Sequence, residues 1–413
     1  MKLYLRTFGC RANQYDSEAV RAMVTAAGGT LVGAPEEADV ALFNSCAVTA
    51  DAVADLRQQV RRAARANPGL RSIVMGCAPG LAGETARSIA ALPTVDALVA
   101  GADARELASA LGIDPSRATT PRQSGARALL RIQDGCDEHC TFCATTLARG
   151  AHRSRPADAL ADEARALAEH HAEIVLTGVH IGGWGRERGE TLGALVERLV
   201  RDVPRVRFRL TSIEATEVDD RLADLLAGAS RRVAPHLHAP LQSGSDRMLR
   251  RMGRHWYTAA RYAAAVERLA RRAPLFALGA DVIAGFPGER EEDHAATLAL
   301  VRALPFTSLH VFPYSPRPGT AAERLPHEVT PRVARARAAE LRALGEAKAT
   351  AHRSARVGGT ADVVAVGTSA RRAGLTEDYL EVAVPHDAPG RFDATLVWRD
   401  GALVAEARHA VAR

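Results

Sequence analysis

The chain has 413 residues, 47% of them hydrophobic and 25% charged, and its formal net charge is +6. This balance is typical of a soluble globular protein, and the length suggests two or three domains. No apolar run approaches the roughly 18 to 20 residues of a membrane span, so we expect a cytoplasmic protein without a membrane partner. In that reducing compartment, the six cysteines indicate metal ligands or catalysts rather than disulfides.

The first hundred residues alternate apolar strands with amphipathic helices, which predicts a small parallel α/β sheet in a first domain over residues 1–113. Helices are predicted from about Ser17, from about Asp51 and near Glu84. The strand before each of these helices ends in a cysteine: Cys10, Cys46 and Cys77. Because loops after parallel strands converge at one edge of a sheet, we expect the three thiols to lie together. For any one of them, an inert buried thiol is the alternative.

Beyond a polar linker at about residues 114–126, six further strand-like runs are each followed by a helical pattern. They predict a partial (β/α)6 barrel over residues 126–355, with its active site at the carboxyl ends of the strands. Polar residues and a glycine occur at those ends: Thr177, Gly178, Ser212, Glu214, Gln242, Ser243, Asp281 and Tyr314. Turn chemistry alone would explain any one of them.

The C-terminal part begins with a long helix predicted over residues 331–356, rich in Ala and Arg. Its basic residues are expected to form a solvated face: Arg332, Arg335, Arg337, Arg342, Lys348 and Arg353. Short strands with glycine turns then predict a small β-barrel over residues 356–413. This stretch holds 7 Arg against 8 Asp and Glu, so it is not basic overall. The fold class is therefore α/β with a small all-β C-terminal unit.

Three of the six cysteines fall within eight residues, in "CDEHCTFC" directly after the first barrel strand. A structural zinc site would need a fourth ligand, and the adjacent His139 lies between two of the cysteines, where it could hardly reach the same ion. Three thiolates on one short loop instead suit three corners of a 4Fe-4S cluster, which leaves one iron open for a small molecule.

The spacing C-x3-C-x2-C of Cys136, Cys140 and Cys143, with Phe142 before the last cysteine, resembles the signature of the radical S-adenosylmethionine (SAM) enzymes. Three N-terminal cysteines after three strands resemble the methylthiotransferases within that group. Blocks such as "TFGCRANQYDSEA", "LQSGSDRMLRRMGR" and "FPYSPRPGTAA" extend the resemblance over essentially the whole chain. One departure is "ATTLARG" after Cys143, where the family commonly has "IIPYARG".

Two stretches, "GCRANQYDSEA" and "GLTEDYLEVAV", are most similar to the branch called MtaB, which modifies threonylcarbamoyl-adenosine in tRNA. The resemblance implies a transferase that adds a methylthio group to C2 of this nucleoside, 3′ of the anticodon. Sister branches act on isopentenyl-adenosine in tRNA or on a ribosomal protein. A non-catalytic iron-sulfur factor that binds RNA is the alternative from another class.

The same resemblance implies two 4Fe-4S clusters, one on the three N-terminal cysteines and one on the barrel cysteines. SAM at the barrel cluster would yield a 5′-deoxyadenosyl radical, and a second SAM would methylate the sulfur that the other cluster delivers. The implied partners are tRNA, an electron donor such as flavodoxin or ferredoxin, and a sulfur source. The small C-terminal barrel resembles the TRAM domain, an RNA-binding module.

The family also suggests which barrel residues contact SAM. Backbone carbonyls at Thr177, Gly178 and Val179 would accept from the SAM amino group. Ser212 and Glu214 would reach the ribose hydroxyls, because a carboxylate accepts readily from a diol. Alternatively, Glu214 forms a salt bridge at the barrel rim. Gln242 and Ser243 complete the predicted cofactor-binding set.

Overall fold

The computed structural model describes residues 1–47, 50–81, 83–114, 122–228, 231–273, 275–368, 371–388 and 390–408. The predicted linker at about 114–126 falls largely on residues outside these ranges. No helix among the described residues is long and apolar enough to cross a bilayer.

The N-terminal unit is a five-stranded parallel sheet in the order β2-β1-β3-β4-β5. The strands are β1 Lys2–Thr7, β2 Thr30–Val32, β3 Val40–Ser45, β4 Arg71–Gly76 and β5 Val95–Ala100. The helices are α1 Arg11–Ala26, α2 Ala50–Ala66, α3 Cys77–Gly80, α4 Glu84–Ala90 and α5 Ala104–Leu111. Alternate residues of the central strands enter two cores, Leu42 with α1 and α5 and Phe43 with α2. The predicted parallel sheet is confirmed.

One predicted boundary in this unit is wrong, because α1 begins at Arg11 and not near Ser17. The first turns of α1 bury two polar side chains, Asn13 and Asp16, rather than apolar ones. These residues give no amphipathic signal in the sequence. The earlier start makes Cys10 the residue that precedes the helix, as its N-cap.

The central unit contains six parallel strands in two groups, β6-β9-β10 and β11-β12-β13. Isolated β-bridges join the two groups, from Phe208 to Val233 and from Ser212 to His238. The strands are β6 Ala128–Arg131, β9 Glu173–Thr177, β10 Arg207–Leu210, β11 His236–His238, β12 Ala277–Ala284 and β13 Ser308–Pro313, and a short ladder pairs β7 Gln133–Asp134 with β8 Arg153–Ser154. The helices are α6 Thr145–Arg149, α7 Ala157–Ala168, α8 Leu192–Asp202, α9 Asp220–Ala227, α10 Asp246–Arg251, α11 Ala259–Arg272, α12 Glu291–Ala303 and α13 Pro331–Arg356. The predicted partial barrel is confirmed.

The C-terminal unit is a closed barrel of five strands in the order β14-β15-β16-β18-β17. The strands are β14 Thr360–Thr368, β15 Arg371–Leu375, β16 Glu381–Ala383, β17 Arg391–Arg399 and β18 Ala402–Ala407. This unit docks on the large barrel through Arg207 and Arg209 of β10, which are fully buried. Both ion-pair with Glu173 of β9 and donate to backbone carbonyls of the small barrel.

The predicted solvated basic face of α13 is only partly present. Arg332 and Arg335 are exposed, but Arg337 is buried and ion-pairs with Glu289 at 2.9 Å. Other basic residues of α13 also bind protein groups: Arg342 donates to the Val311 carbonyl, Lys348 to the Arg302 and Leu304 carbonyls, and Arg353 to Glu346. The contacts of Arg337, Arg342 and Lys348 attach α13 to the large barrel, whereas the Arg353–Glu346 pair lies within the helix itself.

Candidate active site between two cysteine triads

The first triad lies at the carboxyl edge of the N-terminal sheet. Cys10 follows β1, Cys46 follows β3, and Cys77 begins α3 directly after β4. The buried Asn13 side chain links two of them, since its Oδ1 is 3.7 Å from the Cys10 Sγ and 4.0 Å from the Cys77 Sγ. The third thiol is adjacent, because a Cβ at Gly9 would lie 2.8 Å from the Cys46 Sγ. The sheet therefore brings the three predicted thiols together.

Gly9 shows why a glycine precedes Cys10. Its φ is +92°, in the region that favours glycine, and no side chain could fit against Cys46. Burial raises the pKa of the Cys77 thiol to about 11, although the Arg149 charge opposes the shift. A bound metal would therefore be needed to keep this sulfur as a thiolate at neutral pH.

The second triad lies on the loop that the short β7–β8 ladder closes. Backbone N–H groups donate to two of its sulfurs, from Glu138 to Cys136 and from Thr145 to Cys143, each at 3.4 Å. Arg254 donates to the Cys140 Sγ at 3.6 Å. Such N–H···S contacts suit sulfurs that carry negative charge, as cluster ligands do.

The loop is fixed by its contacts with the end of α10. Thr141 donates its backbone N–H to the Met252 carbonyl at 2.9 Å, and its hydroxyl to the Arg251 carbonyl at 3.0 Å. Phe142 packs edge-to-face against Phe286, with ring centroids 6.4 Å apart. The aromatic residue before the last cysteine is thus a packing anchor that holds the loop in place.

Neither triad has the geometry of a single bound ion. Among the described residues, neither brings its three sulfurs within 4.8 Å of one another, whereas the thiolates of a tetrahedral zinc lie closer, with Zn–S of about 2.3 Å. His139, the neighbour considered as a fourth ligand, is exposed. Three spaced thiols in each triad fit a polynuclear cluster with an open position better than they fit zinc.

Arg149 joins the two triads. It ends α6, six residues after Cys143, and its buried guanidinium crosses into the N-terminal unit. There its Nε donates to the Cys77 Sγ at 3.4 Å, and its Nη2 donates to the Asn13 Oδ1 at 2.7 Å and to Asp16 at 2.9 Å. One side chain of the barrel loop therefore contributes to the surroundings of the other triad.

The Gln133 side chain binds the backbone of the turn after β9, where the SAM contacts are predicted. Its Oε1 accepts from the backbone N–H groups of Val179 and His180, at 3.0 and 2.8 Å. Because a trans peptide directs its C=O opposite to its N–H, the carbonyls of Gly178 and Val179 point away from Gln133. The Thr177 carbonyl already accepts from the Ile132 N–H. Gly178 and Val179 thus offer the free acceptors of this turn.

Glu214 both forms a salt bridge and keeps a free acceptor. Its Oε1 pairs with the buried Arg254, which also donates to the Tyr257 hydroxyl at 2.9 Å. Its Oε2 is buried without a hydrogen-bond partner among the described residues, and so is the Tyr314 hydroxyl. Unpartnered buried oxygens are costly unless a ligand satisfies them, so Glu214 fits the predicted contact with a diol.

The remaining predicted cofactor contacts are Ser212, Gln242 and Ser243, and they differ in the hydrogen bonds that they already make within the protein. Ser212 is exposed at the end of β10. Gln242 is buried with φ +62°, and its backbone bonds to β12 at both its N–H and its carbonyl. The Ser243 hydroxyl accepts from the Ser245 N–H at 3.2 Å and contacts Thr297. Ser243 therefore has a role in the turn before α10 that needs no ligand.

Family comparisons agree with this geometry. A model described as "Uncharacterized protein family UPF0004" matches residues 2–101, and the Radical SAM superfamily model matches residues 130–301. A tRNA-2-methylthio-N(6)-dimethylallyladenosine synthase from Methylobacillus flagellatus is 35% identical over 94% of this chain and 93% of its own length. The threonylcarbamoyladenosine tRNA methylthiotransferase MtaB from Bacillus subtilis is 36% identical over 82% of this chain and 79% of its own.

The chain belongs to the radical SAM methylthiotransferase family. It is therefore a radical SAM enzyme, and the family implies SAM and a 4Fe-4S cluster. Among solved structures, the radical SAM methyltransferase TsrM from Kitasatospora setae has a TM-score of 0.55 at 15% identity, over 75% of this chain and 72% of that one. This likeness shows a shared fold. The two relatives are named for different nucleosides, so the choice between them rests on the site itself.

Two residues beside the triads, Arg149 and His180, were not predicted from the sequence. Arg149 lies in "ATTLARG", the stretch after Cys143 that departs from the family pattern, and no role was predicted for it. His180 lies between the triad and the barrel wall, with Nδ1 3.9 Å from the Cys136 Sγ and Nε2 2.9 Å from Glu217. The signal that the sequence offers is position: Arg149 lies six residues after Cys143, and His180 directly follows Val179.

Proposed function

We propose that this chain is a two-cluster methylthiotransferase that modifies threonylcarbamoyl-adenosine in tRNA at C2. Cys136, Cys140 and Cys143 would hold one 4Fe-4S cluster, and Cys10, Cys46 and Cys77 a second. When bound, these groups and SAM supply a 5′-deoxyadenosyl radical and a methylthio group. The reaction would also need an external electron donor, of the flavodoxin or ferredoxin kind, and a sulfur source.

The observation that carries the two-cluster proposal is the guanidinium of Arg149, which extends from one cysteine loop to the other triad. With Nε on the Cys77 Sγ, it holds the two triads on either side of one domain boundary. The substrate would enter between them. Gly178 and Val179 would orient the SAM amino group, and Glu214 with Ser212 would bind its ribose.

The choice of threonylcarbamoyl-adenosine is supported by a contact between the two stretches that resemble the MtaB branch. Arg11 of "GCRANQYDSEA" donates to the hydroxyl of Tyr379 in "GLTEDYLEVAV". These residues are 368 positions apart, yet they meet inside the large barrel. Both relatives reported above are named for tRNA nucleosides, which supports tRNA as the substrate.

The proposal is tested with two anticodon stem-loop RNAs, one carrying threonylcarbamoyl-adenosine and one carrying dimethylallyl-adenosine. Reconstituted protein should bind about eight irons, four from each cluster, and should methylthiolate only the first RNA, as mass spectrometry of digested nucleosides would report. A ribosomal protein offered as a competing substrate should stay unmodified. Methylthio product from the dimethylallyl RNA alone would contradict the substrate choice.

Two matched variants separate the roles of the triads. Cys140→Ala should abolish 5′-deoxyadenosine formation, because the SAM site loses a ligand. Cys46→Ala should lose about half of the iron and all methylthio product, while it still forms 5′-deoxyadenosine. A thiol that only packs the sheet would cost about 1 to 2 kcal/mol and leave product formation nearly intact. Near-native methylthiolation by Cys46→Ala would therefore rule out the second cluster.

A further inference from the structure

A polar cluster lies on the inner wall of the large barrel, outside both triads. His238 of β11, Asp281 of β12 and His310 of β13 face the interior, because the residues that alternate with them belong to the core beneath the helices. The Asp281 Oδ1 lies 3.1 Å from the His238 Nε2 and 3.3 Å from the His310 Nδ1. The two imidazole rings are 5.0 Å apart; His238 is partly buried, whereas 62% of the His310 side-chain surface is exposed. This His–Asp–His cluster is therefore open to a ligand.

Arg11 approaches the same space from the N-terminal unit. It is the residue after Cys10 and the first of α1, and it is partly buried. Its guanidinium donates to the Tyr379 hydroxyl, and within the described residues no carboxylate forms an ion pair with it. A guanidinium offers five donors, so most of the Arg11 donors stay available to an anion.

Tyr379 is itself held in place inside the barrel. It lies between β15 and β16 with φ +70°, and its ring stacks on His236 with centroids 4.5 Å apart. The Arg209 guanidinium lies 5.0 Å from the centre of the same ring. The small C-terminal barrel thus contributes a rigid aromatic residue to the space that Arg11 enters.

Arg11 and His310 are close enough to interact electrostatically. The hydrogen bond to Asp281 raises the pKa of His310, while burial and the Arg11 charge oppose this rise. In the cluster, one carboxylate, Asp281, lies between two histidines, and the nearby Arg11 guanidinium has no carboxylate partner among the described residues. Together these side chains have a surplus of hydrogen-bond donors that an anionic ligand would satisfy.

A surface for the base lies next to this charged group. Phe312 is two residues after His310 on the same face of β13, and 48% of its surface is exposed. The two rings are arranged edge-to-face with centroids 6.5 Å apart. An exposed aromatic ring of this kind is suited to stacking on an unpaired RNA base.

We propose that Arg11, Tyr379 and the His–Asp–His cluster form the subsite for the N6 substituent of the substrate adenine, which stacks on Phe312. This assignment rests on the proposed function. The threonylcarbamoyl group carries a carboxylate for Arg11, and a hydroxyl and carbonyl for Tyr379 and the histidines. A dimethylallyl group is apolar and would offer these donors no acceptor, which is how a polar site disfavours an apolar analogue.

Binding measurements test the subsite without relying on turnover. Three anticodon stem-loops, identical except for threonylcarbamoyl-adenosine, dimethylallyl-adenosine or plain adenosine at the modified position, are titrated with cluster-loaded protein at one salt concentration. The wild type should prefer the threonylcarbamoyl RNA at least about tenfold, the factor expected from a hydrogen bond to a charged group. Arg11→Gln and His310→Asn should each lower the affinity for the threonylcarbamoyl RNA to about that of the adenosine RNA.

The matched control is Arg62→Gln, which removes the same charge from an exposed position on α2. It should leave the preference intact and shift all three affinities equally, if at all. Iron content is measured for each variant, so that loss of the neighbouring cluster is distinguished from loss of recognition.

Two results would overturn the subsite. One is that Arg11→Gln and His310→Asn lower the affinity for all three RNAs equally, or do not lower it at all. The other is a divalent metal ion that the wild type binds and His310→Asn does not, which would make the cluster a metal site. Methylthiolation of the dimethylallyl RNA by the wild type would instead defeat the proposed function. If the wild type modifies the threonylcarbamoyl RNA while both variants keep its preference, only the subsite is wrong.

Discussion

Arg149 shows how one side chain can couple two sites. Its guanidinium satisfies Asn13 and Asp16, which are both buried, and contacts the Cys77 sulfur from the neighbouring unit. Hydrogen bonds and positive charge near a ligand sulfur raise the reduction potential of the cluster it binds. We therefore expect Arg149 to position the first triad and to tune the group that this triad holds.

Replacement of this residue should separate the two halves of the reaction. Arg149→Met keeps an unbranched apolar stem and removes every donor. It should preserve 5′-deoxyadenosine formation at the barrel triad, reduce methylthio product at least tenfold, and lower the potential of the N-terminal cluster in a spectroscopic redox titration. Stability should fall by up to about 3 to 5 kcal/mol, the cost of breaking a buried ion pair.

The control for this change is Arg153→Met, four residues further along the chain. The Arg153 side chain is 62% exposed and lies 3.8 Å from Asp134, so its loss should leave product and potential near those of the wild type. An unchanged potential in Arg149→Met would show that the guanidinium only supports the domain boundary.

At the scale of elements, apolar periodicity predicted the barrel strands and the long helix α13 well. It did not indicate which polar residues are buried. The first turns of α1 turn Asn13 and Asp16 inward toward the triad, and strand β10 carries Arg207 and Arg209 inward toward Glu173. A partner that is distant in the sequence satisfies each of these groups. No local pattern can indicate such pairing, because the pairing exists only in the folded chain.

Helix α13 gives a direct test of this distinction between structural and exposed charge. Arg337→Gln should destabilise the protein by about 3 to 5 kcal/mol, because it leaves Glu289 buried without its partner. Arg335→Gln, two residues earlier and exposed, should change stability by less than about 0.5 kcal/mol. Urea denaturation midpoints of the two variants provide the comparison. Equal midpoints would mean that the Arg337 ion pair contributes no stability.

Exposed charge on α13 is also where RNA contact is expected. Arg332 and Arg335 remain exposed, so changing both to Gln should weaken binding of any anticodon stem-loop and reduce the dependence of affinity on salt. Arg337 is unsuitable for this experiment, since its replacement disturbs the fold first. An unchanged salt dependence would locate the phosphate contacts on another surface.

At the scale of the whole molecule, the small C-terminal barrel is anchored in the large one rather than attached by a loose linker. Arg207 and Arg209 connect Glu173 to the backbone carbonyls of Asp362, Leu375 and Thr376. The loop after Thr376 then carries Tyr379 into the barrel interior, where it contacts Arg11 of the N-terminal unit. All three units thus meet at one polar core, and its stability determines whether the proposed substrate pocket is complete.

Glu173 makes the stability of this core depend on pH. Burial opposes ionisation of its carboxyl, but Arg209 and Arg207 outweigh burial and hold its pKa well below the usual range. A carboxyl with a depressed pKa in the folded state stabilises the protein above the pKa of the unfolded chain, about 4.3 for Glu. This contribution is constant from pH 8 to about 5, and it decreases by about 1.4 kcal/mol per pH unit below that.

Glu173→Gln removes the charge and therefore this dependence. The difference in unfolding free energy between wild type and Glu173→Gln, measured in urea, should be equal at pH 8 and 6 and should shrink between pH 4.5 and 3.5. Glu169→Gln is the control, because Glu169 is an exposed residue at the end of α7, and its difference from the wild type should stay near zero. If the difference in unfolding free energy between wild type and Glu173→Gln stayed constant down to pH 3.5, the ionised Glu173 carboxylate would not stabilise the fold through the two arginines. The anchor between the two barrels would then rest on the carbonyl contacts alone.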